Sequence, residues 1–316
     1  MVLVTTCPVS DKHIARIREV APLLEARVHP SILEALDDLP DAEIMITYGE
    51  DLTPEIIGKC VQLKWIMVIS AGLERMPFEV IAERGILVTN ARGIHKIPMA
   101  EYALGMILMF SRRFVELYQN QMQHKWDRTI RIDELYGQTL GVVGAGAIGS
   151  EIAKRAKAFG MKTLGVAATL RQQEEFDEMF DRSKMDEVIQ RSDYLIVITP
   201  LTEQTKGLIG AREIGLMKSN AVLINISRGA VVDEPALLAA LQARATRGAG
   251  LDVFNVEPLP EDHPFWSLDN VVLTPHLSSR SPKYMERAQE IFRHNLAVYL
   301  TQQGEMINRI DVKKGY

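Results

Sequence analysis

A glycine-rich segment near the middle of the chain, Gly-Ala-Gly-Ala-Ile-Gly at residues 144–149, follows a short apolar run and opens a helix-like stretch. The apolar run covers residues 139–143, and the helical pattern continues to residue 159. In such a context Gly144 permits a tight turn, Gly146 lets the backbone approach a pyrophosphate, and Gly149 allows close helix–strand packing. The helix N-terminus also favours phosphate charge. The segment therefore predicts a dinucleotide-binding turn, although glycine-rich turns also occur for packing alone.

Length and composition narrow the class of protein. The 316 residues are too many for one typical domain and suit two. The net charge of -5 argues against a surface for nucleic acid or for an anionic membrane. Cys7 and Cys60 are expected to be reduced thiols, and no metal site is predicted. The N-terminal residues lack a signal-peptide pattern, and the apolar stretch at 102–110 is too short to span a bilayer, so a cytoplasmic protein is predicted.

Short apolar runs alternate with helical patterns in two parts of the chain, which is typical of parallel sheets with crossover helices. A long helix is predicted between them, over residues 98–123, and a last helix over 282–302 is expected to return to the first part. The predicted strands lie at residues 2–4, 44–48, 63–69, 86–89, 140–143, 163–167, 194–199, 221–226, 249–254 and 271–274. The prediction is an α/β protein with a Rossmann doubly wound parallel-sheet domain at 99–281 and a smaller flavodoxin-like α/β domain at 1–98 and 282–316.

Charged side chains follow the later strands at the edge where ligands of open α/β sheets bind. Arg228 follows the fourth strand of the second part, and the fifth ends at Asp252 with Glu257 on the loop beyond it. His276 stands at the end of the sixth. Each has an ordinary alternative as a turn histidine, a surface arginine or a solvated acid. Asp252 is harder to dismiss because its neighbours are apolar and an unpaired carboxylate there is costly. Their convergence beside the glycine turn favours a reactive site.

This set of side chains suits hydride transfer to a 2-keto acid. The permanently charged guanidinium of Arg228 binds a carboxylate and polarises a carbonyl. His276 can supply a proton to the developing alkoxide near neutral pH. A carboxylate such as Glu257 orients the imidazole and favours its protonated form. The residues therefore predict an oxidoreductase that uses a nicotinamide dinucleotide.

From about residue 100 to residue 279 the chain resembles the D-isomer-specific 2-hydroxyacid dehydrogenases. The matching segments are VVGAGAIG at 142–149, TPLT at 199–202, LINISRGAVVD at 223–233, GLDVFNVEPLP at 250–260 and TPH at 274–276. The resemblance implies a D-2-hydroxy acid product and a homodimer formed through the long helix. It also implies that the first domain binds the substrate.

The resemblance also assigns roles to single residues. It implies that Arg228 orients the keto acid, that His276 is the acid/base and that Glu257 is its carboxylate partner. Asp252 would hold the nicotinamide carboxamide. A weaker match implies that backbone N–H groups of Ala71 and Gly72 receive the substrate carboxylate. The remaining predicted cofactor-binding residues are Gly144, Gly146, Ala147, Ile148, Gly149, Thr169, Arg171, Pro200, Thr205, Ile226 and Ser278.

Within the family the chain is most similar to the glyoxylate/hydroxypyruvate reductase group. This looser match rests on Glu101-Tyr102, Arg112-Arg113, Trp126 and Gly315-Tyr316. Trp126 is interpreted either as a core or dimer-interface aromatic or as a substrate-site residue. Two rivals stay open: a dinucleotide-sensing corepressor, which the short segment after the last helix disfavours, and a short phosphoglycerate dehydrogenase.

The preference between NAD and NADP depends on the end of the second strand, where NAD-binding members place an acidic residue. Here that position is Ala167. Its lack of charge, together with Thr169 and Arg171, would tolerate a 2′-phosphate and favours NADP. NADP-specific relatives usually have a basic residue next, where this chain has Ala168. Use of NAD therefore stays open, and Arg171 has the alternative of a solvated loop charge.

Overall fold

The computed structural model describes residues 1–70, 73 and 75–312. The chain divides into two compact units, one formed by Met1–Ile94 with Ser281–Tyr316 and the other by His95–Arg280. The sequence placed these boundaries at 98/99 and 281/282. Among the helices of the described residues, none has the length and apolar character needed to cross a membrane.

The first part of the chain forms five strands and three helices within the described residues. In chain order they are β1 (Val2–Thr5), α1 (Asp11–Val20), β2 (Glu25–Val28), β3 (Ile44–Thr47), α2 (Pro54–Lys59), β4 (Trp65–Val68), α3 (Phe78–Glu83) and β5 (Leu87–Asn90). Helix α2 begins at a capping residue, because the hydroxyl of Thr53 accepts a hydrogen bond from the Ile56 backbone N–H.

The second unit begins with two helices and continues as a strand–helix alternation, before one last helix follows in the chain. The elements are α4 (Lys96–Ser111), α5 (Phe114–Met122), β6 (Thr139–Val143), α6 (Ala147–Ala158), β7 (Lys162–Ala167), β8 (Glu178–Asp181), α7 (Met185–Arg191), β9 (Tyr194–Val197), α8 (Ala211–Leu216), β10 (Val222–Asn225), α9 (Glu234–Gln242), β11 (Gly248–Leu251), β12 (Val271–Leu273) and α10 (Tyr284–Thr301).

The first unit contains a parallel sheet with the order β2-β1-β3-β4-β5. This is the flavodoxin-like order, in which the chain reverses direction across the sheet between β1 and β3. Helix α10 belongs to this unit: Phe292 and Tyr299 stack on the buried ring of Trp65 with centroid distances of 5.1 and 5.5 Å. Beyond α10, the Ile310 N–H donates to the Val88 carbonyl at the free edge of β5.

The second unit contains a parallel sheet with the order β12-β11-β10-β9-β6-β7-β8. The strand order reverses between β6 and β9, which is the Rossmann arrangement with one further strand at the β12 edge. Strands β9 and β10 are buried along their whole length, as expected for a parallel sheet covered by helices on both faces. The predicted fold class is confirmed.

Two expectations about single elements were wrong. The second sheet has seven strands among the described residues rather than six, because β8 is a four-residue edge strand with an acidic residue at each end and was missed, as the edge strand β2 was in the first sheet. The long helix predicted over 98–123 is two helices. Arg113 between them adopts a left-handed backbone conformation with φ 56°, and α5 has no buried residue that would keep it in line with α4.

Candidate active site

The carboxyl ends of five neighbouring strands lie side by side in the second sheet. The register aligns Val143 with Val197, Val197 with Asn225, Asn225 with Leu251, and Leu251 with Leu273. The residues that follow each strand therefore emerge at one edge of the sheet. Arg228 follows β10 and His276 follows β12, each three residues beyond the aligned row. Strands β10 and β12 are two positions apart in the sheet, so their axes are separated by about 10 Å.

The three glycines of the turn after β6 occupy three different environments. Gly144 has φ +114°, and a Cβ there would lie 2.6 Å from the Ile198 carbonyl oxygen. A Cβ on Gly149 would lie 2.4 Å from the Gly144 carbonyl oxygen, whereas a Cβ on Gly146 would meet nothing within 4 Å. Gly144 thus makes the tight turn, Gly149 allows close packing of the helix, and Gly146 leaves open space for a ligand. A pyrophosphate-binding turn requires these three features.

Two further features of this edge fit a dinucleotide. Ala147 and Ile148 are the first residues of α6, so their backbone N–H groups have no acceptor within the helix. The hydroxyl of Thr199, just after β9, is buried and has no hydrogen-bond partner among the described residues. These residues would hold the phosphates of a nicotinamide dinucleotide, and that cofactor supplies or accepts the hydride when bound.

Arg228 lies on a loop that is held by hydrogen bonds to Asn225, the last residue of β10. The fully buried amide of Asn225 donates to the Arg228 carbonyl (3.2 Å) and accepts from the backbone and hydroxyl of Ser227 (3.1 and 2.8 Å). A Cβ on Gly229 would lie 2.0 Å from the Phe254 carbonyl carbon, so the loop rests directly on the next one. The Arg228 guanidinium is exposed, and no carboxylate of the described residues pairs with it. Its Nη1 donates to the Ser227 carbonyl (2.8 Å), and its other N–H groups are available to an anion.

His276 and Glu257 form a pair at the same edge. The distance between His276 Nδ1 and Glu257 Oε2 is 2.8 Å, and Glu257 Oε1 accepts a hydrogen bond from the Phe254 N–H (3.0 Å). An ionised carboxylate only accepts, so Nδ1 carries its hydrogen and Nε2 is left as the nitrogen that exchanges a proton with a ligand. The predicted acid/base residue and its predicted partner are therefore in contact.

The loop that carries His276 is organised by Asp252. The side chain of Asp252 is fully buried, and its carboxylate accepts from the Thr274 hydroxyl (2.6 Å) and from the backbone N–H groups of Leu277 and Ser278 (2.8 and 2.9 Å). The His276 N–H donates to the Asp252 carbonyl (2.9 Å). His276 itself has φ 54°, a strained conformation for a residue with a side chain. Binding of a nicotinamide carboxamide by Asp252 stays a prediction.

A second contact reaches the same loop from helix α4. The Tyr102 hydroxyl and the Thr274 hydroxyl are hydrogen-bonded to each other. Burial raises the pKa of Tyr102 well above its ordinary value, so the phenol is neutral and can donate. Tyr102, Thr274 and Asp252 thus form a chain of hydrogen bonds beneath His276.

An apolar cavity of about 580 Å³ lies beside the His276–Glu257 pair. Phe254, Leu259 and Leu273 contribute to its wall, with Trp266 at a position that is 56% exposed. The side chains of His276 and Glu257 remain 43% and 36% exposed, so solvent still reaches the pair.

The second strand of the unit ends at Ala167, and the loop beyond it is exposed. Thr169 and Arg171 both lie on this exposed loop, and no acidic side chain of the described residues pairs with Arg171. Gln173, which closes the loop, donates to the Ala145 carbonyl (2.9 Å) and accepts from the Ser150 hydroxyl (2.6 Å).

The other predicted cofactor-binding residues differ in how exposed they are. Pro200 is exposed, and the Thr205 hydroxyl donates to its carbonyl (2.6 Å), so Thr205 closes the turn after β9. Ile226 and Ser278 are buried at 2% and 3% exposure, and their N–H groups donate to the Val197 carbonyl (3.2 Å) and to the Asp252 carboxylate (2.9 Å). Ala71 and Gly72 lie outside the described residues. No group of three or more metal-ligating side chains was found in the described ranges 1–70, 73 and 75–312.

Sequence reasoning missed the residues that support the site. Asn225 and Thr274 lie inside the matched motifs, so a buried polar residue at a strand end was a usable signal. Tyr102 was noted only as part of a subgroup match. Gln173 gave no signal, because its partners Ala145 and Ser150 are 28 and 23 residues away in the chain.

Comparison with known proteins agrees with this geometry. The family model "D-isomer specific 2-hydroxyacid dehydrogenase, NAD binding domain" matches residues 104–278. A D-3-phosphoglycerate dehydrogenase of Methanocaldococcus jannaschii is 34% identical over 98% of this chain, which spans only 59% of that protein's length. A glyoxylate reductase of Korarchaeum cryptofilum is 32% identical over 93% of this chain and 91% of its own length.

The fold comparison gives the same result. A solved D-isomer specific 2-hydroxyacid dehydrogenase family protein from Aeromonas salmonicida superposes with a TM-score of 0.84 at 29% identity, covering 98% of this chain and 99% of that one. Solved relatives hold NADPH or NAD. The chain belongs to the D-isomer-specific 2-hydroxyacid dehydrogenases, a family of NAD(P)-dependent oxidoreductases that act on 2-hydroxy and 2-keto acids.

Proposed function

We propose that this protein reduces glyoxylate and hydroxypyruvate to the corresponding D-series 2-hydroxy acids, with Arg228, Glu257 and His276 as the reacting set. The observation that carries the proposal is the 2.8 Å contact between His276 and Glu257, at the sheet edge where the unpaired guanidinium of Arg228 also emerges. The names of relatives that align over most of their length support glyoxylate among possible 2-keto acids.

Each residue has a distinct role in this proposal. Arg228 binds the substrate carboxylate and polarises the keto oxygen, which a planar, always charged guanidinium does better than an ammonium group. His276 delivers the proton from Nε2 to the oxygen that becomes the alkoxide. Glu257 holds the ring in the tautomer that leaves Nε2 available and stabilises the imidazolium. Positioned proton transfer of this type contributes on the order of 10²–10⁴ in rate.

We propose that NADPH is the preferred cofactor and that NADH is also used. The support is the uncharged Ala167 at the end of β7, which removes the carboxylate that would repel a 2′-phosphate, and the exposed Thr169 and Arg171 beyond it. Comparison of kcat/KM for the two cofactors in wild type and Arg171→Ala tests this point. An unchanged cofactor ratio in the variant would remove Arg171 from the phosphate-binding role.

We propose that the protein acts as a homodimer through the surface of α5 and the segment after it. Phe114, Tyr118 and Met122 recur at every fourth residue of α5 and are 50–63% exposed, and Trp126 beyond the helix is 91% exposed. A contiguous apolar patch of this kind marks a protein contact. The patch favours the interpretation of Trp126 as a dimer-interface residue over its interpretation as a substrate-site residue.

We further propose a cytoplasmic enzyme with no nucleic-acid partner. Cys7 and Cys60 are buried and unpaired, which suits a reducing compartment. The net charge of -5 disfavours a phosphate-backbone surface.

The decisive experiment measures NADPH and NADH oxidation with glyoxylate, hydroxypyruvate, pyruvate and 3-phosphohydroxypyruvate, beside the variants His276→Ala and Arg228→Lys. The proposal expects the highest kcat/KM with glyoxylate or hydroxypyruvate and a loss of at least about 10²-fold in His276→Ala. Because Arg228→Lys keeps the charge but not the planar fork, it should lose most of the activity as well. No turnover with any acid of the panel, with dinucleotide binding intact, would refute the proposal.

Phosphoglycerate oxidation is the second candidate, because the relative from Methanocaldococcus jannaschii bears that name. That substrate carries an additional phosphate, so it predicts the highest kcat/KM with 3-phosphohydroxypyruvate in the same panel. The relative ranking of hydroxypyruvate and its phosphate ester therefore separates the two candidates.

A further inference from the structure

The side chain of Gln173 connects two segments of the cofactor edge that are distant in the sequence. Its Nε2 donates to the Ala145 carbonyl (2.9 Å), inside the glycine turn, and its Oε1 accepts from the Ser150 hydroxyl (2.6 Å), in the first turns of α6. One amide therefore binds both the turn and the helix that follows it. Gln173 is part-buried, so these bonds are partly shielded from competing water.

Residues just beyond Gln173 are fixed to strand β7. Phe176 is buried and occupies the space left by Gly165, where an added Cβ would lie 2.8 Å from the Phe176 ring. The Asp177 carboxylate accepts from the Thr163 N–H (2.8 Å), and the Phe176 N–H donates to the Gln173 carbonyl (3.1 Å). The segment from 173 to 177 is thus anchored by both apolar and polar contacts.

The consequence concerns the five residues between Ala167 and Gln173. This short loop carries Thr169 and Arg171 and is held at one end by β7 and at the other by the Gln173 bridge. The β7 end of the loop is bound to the glycine turn through the main chain, because the Gly144 and Ala145 N–H groups donate to the Val166 carbonyl (3.0 and 2.9 Å). At the far end of the loop, the Gln173 side chain makes the corresponding connection to the turn.

We propose that Gln173 is a positioning residue for the dinucleotide. It holds the glycine turn in one fixed arrangement relative to Thr169 and Arg171, so that the pyrophosphate and the adenosine ribose are bound together. The residue itself acts through Ala145 and Ser150. The proposal concerns cofactor binding and goes beyond the choice of keto acid.

The expected effect follows from the two hydrogen bonds. Each is a neutral bond, and the loss of two such bonds corresponds to about a tenfold change in an equilibrium constant. Loss of the bridge should raise the Kd of NADPH about tenfold. It should raise the Kd of NADH less, by about threefold, because NADH has no 2′-phosphate to meet Thr169 and Arg171.

The test compares neighbouring glutamines. Gln173→Met keeps the length of the side chain and removes both hydrogen bonds, and Ser150→Ala removes one. Gln172→Ala is the matched control, because Gln172 is adjacent, exposed and without a side-chain hydrogen bond in the described structure. The Kd of NADPH and of NADH is measured by fluorescence titration without any keto acid, together with Tm, KM for the cofactor and kcat.

The proposal expects Gln173→Met to raise Kd and cofactor KM while kcat at saturating cofactor stays within twofold, with Ser150→Ala intermediate and Gln172→Ala unchanged. It is overturned if Gln173→Met binds NADPH within twofold of wild type, or if Gln172→Ala is affected equally. If Gln173→Met lowers Tm sharply, Ser150→Ala decides, and wild-type affinity in that variant overturns the proposal. Absence of keto-acid turnover would refute the proposed function and leave this comparison of Kd values intact.

Discussion

Replacement of Asp252 by Asn tests whether a fully buried residue controls the position of His276, the proposed acid/base residue. The carboxylate accepts three hydrogen bonds from the loop at 274–278, at 2.6, 2.8 and 2.9 Å. An asparagine keeps one acceptor oxygen, which can retain the bonds from Thr274 and Leu277. Its amide nitrogen then faces the Ser278 N–H. Both groups are hydrogen-bond donors, so the Ser278 N–H loses its acceptor.

The magnitude follows from these contacts. One charge-assisted bond is worth about 1.5–3 kcal/mol, and a buried N–H without an acceptor costs about 1–3 kcal/mol. The loop also contains His276 at φ 54°, a strained conformation that persists only while its surroundings enforce it. A local penalty of about 3 kcal/mol lowers the population of the competent loop by about a hundredfold.

Asp252→Asn should therefore lower kcat by about 30- to 100-fold while the Kd of the dinucleotide changes by less than about threefold. Steady-state kinetics at saturating cofactor and a fluorescence titration measure the two quantities. Asp181→Asn is the control, because Asp181 is a half-buried aspartate of the same unit that caps a turn by accepting from the Ser183 N–H (2.8 Å). A kcat within threefold of wild type would refute the positioning argument. A large rise in Kd with kcat preserved would assign Asp252 to the carboxamide instead.

Three other perturbations have definite expected outcomes. Glu257→Gln should reduce kcat only two- to fivefold, since the pair with His276 is about 40% exposed and screened by solvent; a loss above about 10²-fold would contradict this. Gly149→Ala should lower Tm by several degrees because its Cβ meets a backbone oxygen, whereas Gly146→Ala should leave Tm unchanged and weaken dinucleotide binding; equal Tm values would refute the distinction. Burial, with a smaller effect of a neighbouring carboxylate, raises the pKa of Cys7 from 9.0 to about 12, so the unfolded chain loses this proton first. Stability should therefore fall as pH rises from 9 towards 12, and urea unfolding at pH 8 and 10 should show wild type losing about 1 kcal/mol more than Cys7→Ala.

The fold was predictable wherever a strand is buried on both sides. Strands β9 and β10 read as continuous apolar runs because helices cover both faces of a parallel sheet. The edge strands β2 and β8 were not predictable in this way, since half of their surroundings is solvent and polar side chains suffice. The break at Arg113 escaped prediction because a left-handed residue between two helices depends on backbone contacts and carries no composition signal.

That the proposed reacting side chains share one edge was predictable for a topological reason: parallel strands bring their carboxyl ends to the same edge of the sheet. What holds those side chains in place was not predictable from spacing. Asn225 and Asp252 are buried polar residues at the ends of neighbouring strands, and each binds the backbone of the loop carrying the reacting residue. Arg228 and His276 are themselves exposed and make few contacts. The loops that carry them are therefore held through the main chain, while the Ser227 carbonyl contacts the guanidinium and the Glu257 carboxylate contacts the imidazole.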